Sequence, residues 1–151
     1  MTRTAECRCR QCRVEVRGEP ALVAVCHCGN CKRRTGSAFG VSVYYPDDAV
    51  IALHGSTNQY RIDNERTYQH RHFCTRCGTT LYWRVAAFPG MLGVAGGCFT
   101  GAALPVPTHT LSDEQRCAWL ADVVEGGDVP AAVECQGGND ERCRDAPAAV
   151  A

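Results

Sequence analysis

The chain has 151 residues, with 16 Lys+Arg against 16 Asp+Glu, and 12 of its residues are cysteine. The length suits one domain with a core of its own, and the zero net charge argues against a protein that coats nucleic acid. The longest apolar stretch, Val85 to Phe99, is broken by Pro89 and four glycines and falls short of a bilayer span. The opening residues, Met-Thr-Arg-Thr-Ala-Glu-Cys, show no apolar signal region. A cytoplasmic location is therefore expected, where clustered cysteines bind metal or do thiol chemistry more readily than they hold disulfides.

Taken in order, Cys12, Val14 and Val16 alternate with Arg13, Glu15 and Arg17, the period of a half-buried strand. Phe39, Val41, Val43 and Tyr45 repeat the pattern before Pro46, and Val50 to Leu53 is a short apolar run closed by Gly55. Further strands are expected over Arg66–Phe73, Thr79–Val85 and Met91–Ala95, the last two parted by a Phe-Pro-Gly turn. This spacing, with no long helical period between strands, predicts an all-β domain of antiparallel sheets. One short C-terminal helix is expected. Ser112 and Gln115 have the spacing of a capping box, and Cys117, Trp119, Leu120 and Val123 form a candidate buried stripe. The domain is expected to occupy residues 1–126. Residues 127–151, rich in Ala, Gly and acids and without aromatics, are expected to be a disordered tail that carries Cys135 and Cys143.

The neutral total conceals an asymmetry. Residues 1–84 hold 13 Lys/Arg and 7 Asp/Glu, whereas residues 85–151 hold 3 and 9. Charge blocks of this kind usually form solvated surface; the sharper reading is that the first half handles an anionic ligand.

Three cysteine clusters carry the chemistry: Cys7-x-Cys9, Cys26-x-Cys28-x2-Cys31 and Cys74-x2-Cys77-Gly78. Thiolates two or three positions apart at a turn can converge on one zinc ion. A structural zinc takes four protein ligands and a catalytic zinc keeps a position open, so seven thiolates divide as four and three. Cys7, Cys9, Cys74 and Cys77 are assigned to a closed site, and the local triplet Cys26, Cys28 and Cys31 to an open one. Cys12 shares a strand face with Val14 and Val16 and reads as a buried small hydrophobe, with ligation the alternative. Cys98 and Cys117 are read the same way.

Three segments together resemble the glutathione-dependent formaldehyde-activating enzyme family, which also includes centromere protein V. They are Cys7-Arg-Cys9, the run from Cys26 through His27, Cys28, Gly29, Asn30, Cys31, Lys32, Arg33, Arg34, Thr35 and Gly36 to Ser37, and His72-Phe73-Cys74-Thr75-Arg76-Cys77-Gly78. The resemblance extends over about residues 4–125. It implies a zinc-pinned β-tent fold, two Zn2+ per chain divided as above, and a thiol such as glutathione bound near the second zinc. The implied reaction joins glutathione and formaldehyde into S-(hydroxymethyl)glutathione, a carbon–sulfur lyase in reverse. One departure is Arg10, where the family usually has Gly after the second cysteine.

Lys32, Arg33 and Arg34 are candidate contacts for glutathione carboxylates or a solvated basic turn. Ser37 is a further candidate contact. His72 is a candidate proton relay or donor to a thiolate, the alternative being a strand residue bonded to its surroundings. No membrane partner is expected. The competing function is a non-enzymatic zinc module that binds protein or nucleic acid; the sequence lacks the aromatic–basic interleaving of single-strand binders.

Overall fold

The computed structural model describes residues 1–64, 67–101, 104 and 106–120. Residues Met1–Cys117 form one compact unit and Ala118–Ala151 a second. Within the first, β1 (Thr2–Glu6), β2 (Arg13–Arg17), β5 (Val50–His54) and β10 (Phe99–Thr100) build a four-stranded sheet in the order β10-β1-β2-β5. A seven-stranded sheet contains β3 (Leu22–Cys26), β4 (Gly40–Pro46), β6 (Thr57–Asn64), β7 (Thr67–Cys74), β8 (Thr80–Val85), β9 (Met91–Ala95) and β11 (His109–Leu111). Its order is β11-β3-β4-β9-β8-β7-β6. The pairings are antiparallel apart from β11 on β3. One short helix, α1 (Gly29–Thr35), interrupts the strands. Among the described residues no helix is long and apolar enough to cross a membrane.

The side-chain alternation of a strand decides which residues enter the core. In β2, Val14 and Val16 are fully buried while Arg13, Glu15 and Arg17 keep contact with solvent. β4 lies inside its sheet and is covered on both faces. Val43 and Tyr45 join the main core with Leu81, Leu92 and Val94, and Tyr44 joins a second cluster with Trp83 and Ala95. Trp83 stands opposite Gly93 on β9, and a Cβ there would lie 2.3 Å from its Nε1. That missing methyl lets the indole settle and donate from Nε1 to the Tyr44 hydroxyl at 3.2 Å.

The all-β expectation holds, and each of the six expected strands corresponds to an observed one. Missed were β1, β3, β6, β10, β11 and α1. β1 and β6 are largely polar, with Ala5 the buried residue of β1 and β6 a sheet edge. Helix α1 buries none of its residues and so has no apolar stripe to betray it. The C-terminal helix does not begin as expected. Ser112 has φ 54 and makes no side-chain cap, and Asp113–Gln115 is a single 3-10 turn. An N-cap needs an extended backbone, and the Gln115 side chain instead accepts a hydrogen bond from the Gly29 N–H. Trp119, expected in the buried stripe, is 53% exposed. Val123, Arg66 and the expected tail with Cys135 and Cys143 lie outside the described residues.

Candidate metal centres

Two short loops bring four sulfurs together. Between β1 and β2, Cys7 N–H bonds to the Cys12 carbonyl at 3.0 Å and Arg10 N–H to the Cys7 carbonyl at 2.9 Å. Between β7 and β8, Cys74 N–H bonds to the Thr79 carbonyl and Gly78 N–H to the Cys74 carbonyl, both at 3.0 Å. Each loop turns through one left-handed residue, Arg10 (φ 62) in the first and Gly78 (φ 72) in the second. Gly78 adopts this conformation freely. Arg10 does so at some strain, so the departure at this position leaves the turn intact.

The Cys7, Cys9, Cys74 and Cys77 sulfurs all lie within 4.8 Å of one another, a set that could hold a metal ion. Cys7 Sγ is 3.6 Å from Cys9 Sγ, and Cys9 Sγ is 3.7 Å from Cys74 Sγ. Four sulfurs placed tetrahedrally about 2.3 Å from one zinc stand about 3.8 Å apart, so the spacing fits that ion. The set belongs to the main core, with Cys7 and Cys74 buried. Cys12 is not part of it. Its thiol donates to the Ser56 carbonyl at 3.1 Å, its N–H donates to Cys7 Sγ at 3.2 Å, and burial pushes its pKa to about 12. It behaves as a buried thiol that supports a neighbouring ligand. Cys77 moves the other way, to about 6: burial opposes the shift, but the Thr79 hydroxyl, 3.3 Å from its sulfur, and the Thr79 N–H outweigh it.

The second set, Cys26, Cys28 and Cys31, also has its sulfurs within 4.8 Å. Cys26 ends β3 and is buried; Cys28 caps α1, its sulfur accepting from the Cys31 N–H; Cys31 lies in the first turn. The Cys26 and Cys28 sulfurs are 3.4 Å apart. Burial works against ionisation of Cys28, yet the Cys31 N–H and the neighbouring sulfurs lower its pKa. Cys31 rises to about 12 through burial and its neighbour Cys26, with Arg34 pulling the other way. Cysteine ligands give up their protons when a metal cation binds them. The ten cysteines among the described residues are all free thiols.

The basic run after the triplet is the last turn of α1, where positive charge complements the helix dipole. Gly36 closes the helix in the left-handed conformation, with its N–H on the Lys32 carbonyl at 2.8 Å. The four candidate contacts then separate. Lys32 Nζ donates to the Gln115 carbonyl, and Arg33 is exposed. Arg34 and Ser37, with Phe39, Thr79, Thr80 and Gly97 among others, line a cavity of about 440 Å³ between the end of α1 and the Cys74–Thr79 loop. That size suits a small molecule. Arg34 lies 4.2 Å above the Trp83 ring, a cation–π stack.

His72 is placed on β7 with Nδ1 3.3 Å from the Thr57 hydroxyl and Nε2 3.0 Å from the Gln59 amide, and it stacks on Tyr82. These are the contacts of a strand residue bonded to its surroundings. His27, between two cysteines of the triplet, is buried against Phe39. Arg71, not among the candidates above, also lies near the triplet through its bond to Asn30. It is 8% exposed, donates to Asn30 Oδ1 and Gln69 Oε1, and so ties β7 to α1. A lone arginine between two histidines gives no signal in the sequence; its burial comes from the pairing of β7 with β6 and β8.

Two fungal proteins that carry the name glutathione-dependent formaldehyde-activating enzyme are similar to this chain. One, from Fusarium vanettenii, is 32% identical over 81 residues, covering 52% of this chain and 43% of its own. The other, from Penicillium rubens, is 33% identical over 81 residues, covering 52% and 42%. The chain thus spans less than half the length of these curated relatives. A crystal structure of a Rhodobacter sphaeroides protein shares the fold, with a TM-score of 0.54 at 19% identity over 66% of this chain and 90% of that one. The family model described as glutathione-dependent formaldehyde-activating enzyme matches residues 2–114, well over half of the sequence, and the chain belongs to that family.

Proposed function

We propose that the chain, through residues 1–126, is a zinc-dependent enzyme of the cytoplasm that joins a thiol such as glutathione to formaldehyde. In this reading Cys7, Cys9, Cys74 and Cys77 hold a structural zinc, and Cys26, Cys28 and Cys31 hold a second with a fourth position open. The observation that carries it is a three-sulfur set at the start of α1 with a small-molecule cavity lined by the end of the same helix. A zinc ion there would supply Lewis acidity that keeps an entering thiol ionised. The chain's own residues do the rest. Arg34, fixed on Trp83, presents positive charge to the cavity that a glutathione carboxylate fits. Ser37 offers a hydroxyl at the same wall. Phe39 and Val41 give the cavity an apolar wall, and holding thiol and aldehyde together there would lower the entropic part of the barrier. The sulfur–carbon bond forms as the carbonyl π bond opens, and the thiol proton ends on the carbonyl oxygen; the reverse is a carbon–sulfur lyase reaction.

Exchange NMR of glutathione with 13C-formaldehyde tests this. The zinc-loaded protein is expected to speed interconversion of free and S-hydroxymethyl glutathione above the spontaneous rate, and Cys28→Ser to abolish the acceleration. An unchanged rate with both metals bound would remove the enzymatic reading and favour a non-catalytic zinc module.

A further inference from the structure

Two guanidiniums beside the Cys26–Cys28–Cys31 set are shielded from solvent and lack a carboxylate partner among the described residues. Arg3, Arg13, Arg61, Arg84 and Arg116 each pair with an acid. Arg34 and Arg71 do not. Both are fixed by other means. Arg34 lies over the Trp83 ring, and its Nη2 is buried without a hydrogen-bond partner. The Cβ that Gly40 lacks would sit 2.5 Å from that Nη2 and 3.3 Å from Cys31 Cβ, so Arg34 and Cys31 press on the same point of β4. Arg71 is held to Asn30, the residue before Cys31, and to Gln69, which also accepts from Asn30 at 2.8 Å. The electrostatic neighbours of Arg71 include Cys31 and Cys28, and Arg34 is the cation that acts on Cys31.

Shielding two cations from water without acids, Arg71 buried and Arg34 half-buried with its Nη2 sealed off, is unfavourable unless the site supplies the anions. A divalent ion with three thiolates carries one negative charge, and Arg34 with Arg71 brings two positive ones. The centre is left with one surplus positive charge, which a single arriving thiolate neutralises. Arg33, whose guanidinium lies against Gly29, is exposed to solvent, and Lys32 is tied to the Gln115 carbonyl, so solvent screens both charges more than those of Arg34 and Arg71.

We infer that Arg34 and Arg71 are positioning residues that balance the three-cysteine centre for a fourth, anionic sulfur ligand, so that the site selects its partner as a thiolate even where that partner has no carboxylate for Arg34 to hold. The inference rests on the proposed open zinc position.

The test uses the full chain loaded with cobalt(II), whose sulfur charge-transfer band reports each thiolate bound, and 2-mercaptoethanol as the probe because it has no carboxylate for an arginine to clamp. Wild type is expected to bind the probe with two metals retained. Arg34→Met and Arg71→Met are each expected to weaken binding on the order of tenfold, with Arg34→Lys and Arg71→Lys restoring most of it. Loss of the second metal in the Met variants with retention in the Lys variants supports the same conclusion. Wild-type affinity in all four variants, or metal loss in the Lys variants as well, overturns it. No thiol band in the wild type with both metals present means instead that the open position itself is wrong.

Discussion

Replacing one cysteine in each set by serine should give opposite results. Cys74 is 1% exposed and belongs to the main core, and its set joins the β1–β2 loop to the β7–β8 loop. A structural zinc contributes about 10–16 kcal/mol of apparent binding energy, against about 5–15 kcal/mol of total stability for a domain. Losing even half of the zinc contribution through Cys74→Ser removes most or all of the folded population. Cys28 differs. It caps a seven-residue helix that buries no side chain, and its sulfur accepts from the Cys31 N–H. Serine is a good N-cap, so Cys28→Ser keeps that hydrogen bond and destabilises by less than about 1 kcal/mol. In a domain of this size that lowers Tm by no more than roughly 3–6 °C. Metal analysis with thermal unfolding reads both effects. Cys28→Ser should fold with one zinc, and Cys74→Ser should show no cooperative transition near the wild-type Tm. If the two variants lose the same metal and the same stability, the division into a structural and an open centre is wrong.

Two further predictions concern the surroundings of the centres. Arg10 is exposed and left-handed at φ 62, so Arg10→Gly exchanges steric strain for the entropy of glycine; the balance is a gain of about 0.5–1 kcal/mol, seen as a Tm rise of a few degrees, and a fall would show that Arg10 holds the loop through its side chain. Burial, then His70 and Arg84, lower the His72 pKa below its usual 6.5. The unfolded chain therefore takes up the proton first, and stability declines as pH falls below about 6.5. His72→Gln should lessen the Tm difference between pH 7.5 and pH 5.5 and leave thiol exchange intact, whereas a large loss of exchange would restore His72 as a proton relay.

The two cysteine groups were legible because their signal is local. Cys26, Cys28 and Cys31 are close enough in sequence for one turn to gather them, and the two other pairs each define a loop whatever surrounds it. Strands with strict alternation, such as Val14 and Val16 in β2, were legible for a similar reason, since one buried face and one wet face write a period of two. The polar strands β1 and β6 and the helix α1 wrote no such pattern.

The amino-acid sequence by itself determined the all-β class and the two groups of cysteines that folding gathers. Which cations face the triplet was decided by the tertiary structure. Lys32, Arg33 and Arg34 are equivalent as a basic run, yet the helical period turns Arg34 onto Trp83 and leaves Arg33 in solvent. Arg71 reaches Asn30 only because β7 is flanked by β6 and β8, and Cys12 is kept from the metal set because its thiol finds the Ser56 carbonyl. Ligand identity is a property of neighbours in the chain, whereas the charge around a ligand is a sum over residues that only folding brings within a few ångströms.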